Sequence, residues 1–426
     1  MKLKVGYIEI RDIMTADKAE VRDGVLYVDT KALEAIALED EHIKSVKFDV
    51  ARPGESVRIT PVKDVIEPRA KVEGPGDIFP GMTTKVATVG SGTTHVLRGA
   101  AVVTVGKIVG FQEGIIDMTG VGADYTPFSA TNNLVVDFTP VDGITAHEYE
   151  AAIRTAGLKI AYELGKLGKN LTPDETKEYD FPSLMEGIKK YPDLPRVGYV
   201  LMLQSQGLLH DTYVYGVDMK QSLTTMLSPT EIMDGAIVSG NCVSACDKNT
   251  TYHHQNNPVI EDLFSEHGKT LNFSAMIITN ENVYLADKMR SSDWSAKLVD
   301  YLDLEGVIIS QEGFGNPDTD LIMNCKKIEE TGTHTVIITD EYAGRDGTSQ
   351  SLADADAKAD ALVTAGNANQ VVTLPKLDRV IGTLDYTEKI AGGFAGSLES
   401  DGSITVEIQA ITGATNELGF SRLSAR

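Results

Sequence analysis

Val197-Gly198-Tyr199-Val200-Leu201-Met202-Leu203, followed by Gln204-Ser205-Gln206-Gly207, decides the fold. Successive side chains of a strand point to opposite faces, so an apolar run without polar alternation predicts a strand covered on both sides. Four more runs of this kind follow, at Ala275–Thr279, Gly306–Ser310, Thr335–Thr339 and Gln370–Leu374. Helix-like segments separate these later four. The clearest starts at Asn316-Pro317-Asp318, a cap followed by Pro, and places Leu321, Ile322, Cys325 and Ile328 on one face. Doubly covered strands alternating with helices predict a parallel, Rossmann-like α/β sheet, in which ligands bind beyond the carboxyl ends of the strands.

Those ends are polar and often acidic. They read Gln204-Ser205-Gln206-Gly207, Asn280-Glu281-Asn282, Gln311-Glu312-Gly313 and Asp340-Glu341-Tyr342-Ala343-Gly344-Arg345. Surface loops are polar in any case. The sharper expectation is a rim where Glu312 and Asp340 attract an amine while Arg345 stays free to hold a carboxylate. His210, just past a strand end, is a candidate for acid–base work, although a lone histidine is more often structural.

Upstream, the pattern differs. Residues 1–143 read as a β-rich domain, a sandwich or barrel, with short runs such as Val57–Pro61, Ala101–Gly106 and Leu134–Phe138 punctuated by Gly and Pro. Residues 144–195 read as a helical connector. Thr145 and Glu148 form a capping box, and Tyr149, Ile153, Ala156, Ile160 and Leu164 recur at helical spacing. Thr172-Pro173-Asp174-Glu175 reads as a second helix start. Residues 196–426 form the α/β domain.

The 426 residues carry 39 Lys plus Arg against 62 Asp plus Glu, a net charge of −23. That balance argues against nucleic acid as a partner and against docking on an anionic membrane. No run of 18 apolar residues is present, and the N-terminus lacks a signal core, so a cytoplasmic location is expected. Gly90-Ser91-Gly92 and Gly392-Gly393-Phe394-Ala395-Gly396 lack the spacing of phosphate loops and read as turns. Cys242, Cys246 and Cys325 are too few for a disulfide framework. With no second Cys-x-x-Cys and no His-Glu-x-x-His, the Cys242/Cys246 and His253-His254 pairs predict no metal.

Gly235-Ala236-Ile237-Val238-Ser239-Gly240-Asn241-Cys242 ends an apolar segment in Gly, Asn and Cys. Gly240 lets the following peptide be held in an unusual shape. A thiol beside its own preceding carbonyl, here that of Asn241, can attack it and turn the amide into a thioester. Elimination at the Cys242 β-carbon then leaves a dehydroalanine, which tautomerises to an imine and hydrolyses to a pyruvoyl group. Only Ser or Cys carries a heteroatom that is first nucleophile and then leaving group. Taken alone, an Asn-Cys pair is more often an inert, buried cysteine.

The chain resembles the component B proproteins of the glycine, sarcosine and betaine reductases over nearly its whole length. The carrying stretches are 51–64 (Ala-Arg-Pro-Gly-Glu-Ser-Val-Arg-Ile-Thr-Pro-Val-Lys-Asp), 110–120 (Gly-Phe-Gln-Glu-Gly-Ile-Ile-Asp-Met-Thr-Gly), 207–216, 233–244, 311–320 and 410–419. The form they most resemble is that of glycine reductase; proline reductase has a related proprotein that matches more loosely. The resemblance implies cleavage at Cys242 into pieces 1–241 and 242–426, the second beginning with a covalent pyruvoyl cofactor. It implies a small amine substrate that forms a Schiff base with the pyruvoyl, which makes the amine a better leaving group. Carbon–nitrogen cleavage would then be carried out by a selenocysteine-containing component B subunit. The product would pass to selenoprotein A and then to component C, giving acetyl phosphate and ammonia, with electrons from thioredoxin. Betaine, a quaternary amine, cannot form a Schiff base, so the carbonyl would act differently in that system. A noncatalytic scaffold docking the selenoprotein partners is the competing class. An ordinary α/β sugar- or amino-acid-binding protein is a third reading.

Overall fold

In the computed structural model, which describes residues 1–207, 209–240 and 244–418 and the backbone of 424–425, the strand Arg196–Gln204 lies between Asn272–Glu281 and Gly306–Ser310, parallel to both. His334–Glu341 and Leu362–Asn367 extend the parallel sheet on one side. Short antiparallel strands, Thr225–Met226 and Ser424–Ala425, close its two edges. The mixed α/β fold class read from the sequence is therefore the one observed.

Alternation along each strand feeds two separate cores. Val200, Met202, Ala275, Ile277, Ile309 and Ile337 point to one face and pack on Val299 of the helix Leu285–Tyr301 and on Leu321, Ile322, Cys325 and Ile328 of Asn316–Glu329. Cys325 is fully buried there, as its place on the apolar helix face predicts. Tyr199, Leu201, Leu203, Phe273, Met276 and Ile278 point to the other face, against Val259, Ile260 and Leu263 of Pro258–Glu266.

Two strand expectations are corrected. The fifth parallel strand is Leu362–Asn367, not Gln370–Leu374; Val371–Leu374 pairs antiparallel with Ile404–Glu407 instead. Its side chains alternate, Val371 outward and Val372 inward, which is the pattern of a strand covered on one face only. The Thr172–Glu175 segment does not start a helix. Glu175–Asp180 is an edge strand beside Lys2–Glu9, with Tyr7 opposite Glu175. Only Tyr179 of this strand is buried, its ring packed edge-on against Phe264. A Pro-Asp-Glu start signal loses here to pairing with an open sheet edge.

The first 140 residues supply most of two further large sheets and a small one of Asp12–Thr15, Val25–Val28 and Glu20–Arg22. One is ordered Glu175–Asp180, Lys2–Glu9, Gly92–Arg98, Arg69–Glu73. The other runs Gly114–Asp117, Val57–Ile66, Ala100–Val105, Asn132–Pro140, Ile43–Ala51, and Arg379–Gly382 from the far end of the chain adds to Val57–Ile66 in parallel. The helix Ala146–Lys166 packs over them through Tyr149, Ile153, Ala156, Ile160 and Leu164. The Thr145/Glu148 capping box is present, with the Glu148 amide donating to Thr145 Oγ1 at 3.3 Å and the Thr145 amide donating to Glu148 Oε2 at 2.8 Å. The close seat of this helix requires Gly165, since a methyl there would stand 2.0 Å from the Arg69 carbonyl oxygen.

A buried fork ties the early sheet to the later chain. Arg58 donates from Nε to Asp117 Oδ1 at 2.6 Å and from Nη2 to Asp117 Oδ2 at 2.8 Å, and Nη2 also reaches the Pro375 carbonyl at 3.0 Å. Both side chains are almost fully excluded from water. Removing one member strands a charge, whereas replacing both with apolar groups does not. Asp117→Ala is expected to cost about 3–5 kcal/mol in denaturant unfolding. The double replacement Arg58→Met with Asp117→Leu is expected to recover most of that loss.

Candidate functional site

Parallel strands bring all their carboxyl ends to one edge, and in this chain that edge is acidic and dry. Gln204 and Glu281 end neighbouring strands in register. Glu312 follows Gly306–Ser310 by two residues, and Asp340 sits near the end of His334–Glu341. The sequence suggested an exposed rim. Instead, Glu281, Glu312 and Asp340 are at most 1% exposed, because two later segments fold over the edge.

The first cover is 244–255 and the second 408–418, and they hold each other. Ser244 Oγ donates to Gln409 Oε1 at 3.1 Å. The Gly413 amide donates to the Ala245 carbonyl, and the Thr415 amide to that of Cys246. Asn416 Nδ2 donates to Asn249 Oδ1 at 2.7 Å, and Asn249 Nδ2 to Glu417 Oε1 at 3.1 Å. The covers add Asp247 and Glu417; with Asp318 these make six buried carboxylates, and Asp320, held by Lys288, lies beside Glu281 as a seventh.

Glu312 is the best satisfied of the six. Its Oε2 accepts from the Gln204 amide at 2.7 Å and from Thr212 Oγ1 at 2.6 Å, and His254 Nε2 stands 3.0 Å from Oε1. The short helix Thr251–Gln255 carries His254; Thr251 anchors it by donating from its amide and hydroxyl to Asp64. The adjacent His253 stays neutral, its pKa pushed down to about 3 by burial with His254 adding to the shift.

The other carboxylates are poorly compensated. Asp247 Oδ2, Asp340 Oδ2 and Glu281 Oε2 have no hydrogen-bond partner among the described residues. Burial raises the pKa of Asp247, Asp340, Glu281 and Glu417 well above the carboxylate range. Mutual repulsion adds to it, from Glu312 on Asp247 and Glu281 and from Asp247 on Asp340 and Glu417. Burial likewise raises the Cys246 thiol, which is held as an unreactive thiol.

Two sequence candidates, Glu312 and Asp340, thus meet at this edge, linked through Asp247. His210 does not join them. Its Nε2 stands 3.5 Å from Glu150 Oε2 and its Nδ1 3.1 Å from Tyr213 Oη. Glu150 in turn is fully buried and held by Lys63 at 3.2 Å and Arg154 at 3.1 Å. Arg345 is already engaged: its Nε donates to Glu407 Oε1 at 2.6 Å, and its guanidinium lies over the Phe394 ring. Asn241 and Cys242 lie outside the described residues. Their flanks are buried: Val238 pairs with Tyr213, and Ser239 and Ser244 are at most 1% exposed. Gly240 packs so closely that a methyl would stand 1.7 Å from the Asp211 carbonyl oxygen, a place only glycine can fill.

Sequence reading did not nominate Asp247 or Glu417, and it weighed His254 only as half of a metal-binding pair. Asp247 sits beside Cys246, and Glu417 lies in the 410–419 stretch already marked by resemblance. Those were the available signals. Among the described residues, no group of three or more His, Cys, Asp or Glu could hold a metal ion, and no helix is long and apolar enough to cross a membrane.

The carboxyl ends of a parallel sheet are where α/β proteins bind ligands, and an acidic edge does not suit a nucleic acid. The chain belongs to the family of glycine/sarcosine/betaine reductase component B subunits, whose model matches residues 1–426. It is 65% identical over 428 residues to the glycine reductase complex component B subunits alpha and beta of Acetoanaerobium sticklandii, covering 100% of both chains. It is 58% identical to the sarcosine reductase complex component B subunit alpha of Peptoclostridium acidaminophilum, again over 100% of both chains. The betaine reductase complex component B subunit alpha of the same organism is 38% identical, over 99% of this chain and 98% of that one. No solved structure matches the chain.

The raised carboxylates set a pH dependence. A carboxyl that keeps its proton in the folded state but loses it when unfolded makes the fold less stable as pH rises above the ordinary carboxylate value. Asp340→Asn removes one such group without changing its shape. Its melting temperature is expected to match the wild type near pH 4 and to exceed it increasingly toward pH 8. The difference should grow by up to about 1.4 kcal/mol per pH unit inside the titration window.

Proposed function

We propose that this chain is the substrate-binding proprotein of a component B that acts on glycine, and that it matures by cleavage between Asn241 and Cys242. The pieces would be 1–241 and 242–426, with a pyruvoyl group derived from Cys242 at the new N-terminus. The carrying observation is the full-length match, at 65% identity, to a single chain that bears two subunit names, alpha and beta. Identity falls from the glycine relative to the sarcosine one at 58% and the betaine one at 38%, which favours glycine as the substrate.

The surroundings support this reading. Self-cleavage needs a backbone held still and dry, and both flanks of 241–243 are buried, with Gly240 pressed against the 211 carbonyl. A ketone at the chain end would draw electron density from the substrate's nitrogen. The chain's own part is to receive a small amine, and the edge built by Glu281, Glu312 and Asp340 supplies buried carboxyl oxygens to hold it. Glu312, locked by three donors, is a fixed acceptor there. The nucleophile for carbon–nitrogen cleavage would come from a selenocysteine-containing subunit of the same complex, with selenoprotein A and component C downstream, in the cytoplasm.

Protein purified from its native host should run as two bands under denaturing conditions, and a carbonyl-directed hydrazide should label only the smaller. Cys242→Ala should give one unlabelled band, and turnover of glycine in the reconstituted complex should vanish. Full turnover by that variant would sink the proposal.

A further inference from the structure

Asp211 is fully buried, yet neither the acidic edge nor the Glu150 cluster uses its carboxylate. Its Oδ1 accepts from the Gly207 amide at 2.5 Å, and its Oδ2 stands 2.7 Å from the Lys220 ammonium. Lys220 also donates to the Gly207 carbonyl at 3.4 Å. One carboxylate and one ammonium thus close the turn that leaves the central strand after Gln204. Lys220 is nearly half exposed, so a buried charge is paired with one that keeps its water. Burying a charge is costly, and an asparagine could accept from the Gly207 amide as well. It is the charge that calls for an explanation.

The turn touches two parts of the molecule. At one end, the Thr212 amide donates to the Gln204 carbonyl at 3.2 Å, and the Thr212 hydroxyl holds Glu312. At the other, Tyr213 pairs with Val238, and the backbone of 210–211 bears on Gly240. A methyl on Gly240 would stand 1.7 Å from the Asp211 carbonyl oxygen and 3.0 Å from that of His210. The φ of Gly240 is not in the positive region, so the close approach, and not the backbone conformation, demands glycine. From another side, the Ser239 amide donates to Thr251 Oγ1 at 3.1 Å. The chain that enters position 241 is therefore held between two carbonyls and a hydroxyl. Asp211 supplies the nearer carbonyl, and its own side chain fixes where that carbonyl stands.

We propose that Asp211, paired with Lys220, is a positioning residue for cleavage between 241 and 242, because it holds the carbonyl wall that sets the backbone of Gly240. The inference deepens the maturation reading and rests on it. Attack by a thiol on its preceding carbonyl needs one backbone geometry, and a misplacement of about 1 Å can cost on the order of a hundredfold in rate. Burial lifts the Asp211 pKa to about 6, against the pull of Lys220 and the Gly207 amide, and Asp218 adds to the rise. Above pH 6 the carboxyl is ionised and the clamp is closed. Below it, a proton cancels the attraction to Lys220 and the clamp slackens.

Full-length chain recovered uncut in denaturant is diluted into buffers from pH 5 to 8, and cleavage is followed on denaturing gels. At pH 7.5, Asp211→Asn should cut at least about tenfold more slowly than the wild type. The ratio of the two rates should fall toward one as the pH drops through 6. Lys220→Met should move that inflection to higher pH, since the ammonium no longer opposes burial. Equal rates at pH 7.5, or a ratio that stays level across the range, would overturn the inference. The uncut Cys242→Ala chain carries a second measurement, hydrogen exchange of the 237–240 amides. Adding Asp211→Asn should speed that exchange roughly tenfold above pH 6, corrected for the intrinsic rate, and leave it unchanged at pH 5. Exchange that ignores the substitution at every pH would overturn the clamp itself. A wild type that never cuts, while exchange responds as stated, overturns the maturation reading and with it the role given to Asp211. The two failures are thereby told apart.

Discussion

Glu312 is the constraint on which the working edge of the molecule depends. One carboxylate receives the amide that ends the central strand, a hydroxyl from the 212 turn and the imidazole of a short helix. These three groups come from separate stretches of chain. Their shared acceptor fixes where Gln204 stands and where the 244–255 cover is set down. Burying a carboxylate is costly unless donors surround it; here they do, so Glu312 serves as a rigid post. Its neighbours do not share that satisfaction. Glu281 is half satisfied, and Asp247 and Asp340 less so. The site therefore combines one rigidly held carboxyl with several that the surroundings push toward protonation.

The contrast gives the edge its chemical character. Where water is excluded and carboxyls crowd, burial and mutual repulsion both favour their protonated forms. Elsewhere in the fold, Glu150 is surrounded by Lys63, Arg154 and His210 and is driven down to about 2, because the two nearest cations outweigh the burial that would raise it. The same residue type thus titrates in opposite directions in two buried places. The difference lies in the partners, not in depth alone.

Much of this was legible in the sequence. Val197–Leu203, Gly306–Ser310 and Thr335–Thr339 are apolar on both faces, and that fixes a two-sided sheet whose strand ends are known in advance. Glu312 and Asp340 followed from the strand-end rule. Leu362–Asn367 escaped because Gly, Asn and Thr dilute its apolar pattern, while Val371–Leu374 looked stronger than its one-sided packing warrants. Asp247 and Glu417 escaped for another reason, as did His254 in its place beside Glu312. They come from irregular segments with no periodicity, and only folding brings position 254 to 312 or 249 to 417. Burial at the strand ends was likewise unreadable, since a polar loop and a polar loop with a lid have the same letters.

The two cores are knitted across the chain's midpoint. The central strand of the parallel sheet is laid down before residue 241, its neighbours after it, and Arg379–Gly382 returns the loan by lining a strand from the first sixty-six residues. A break anywhere between 238 and 244 would therefore leave two polypeptides that share both the seven-stranded sheet and the six-stranded sheet with its added strand Arg379–Gly382. Were the chain cut there, halves denatured apart would have to meet again before either shared sheet could re-form. Such an assembly behaves as a woven cloth rather than as two pieces glued at a face.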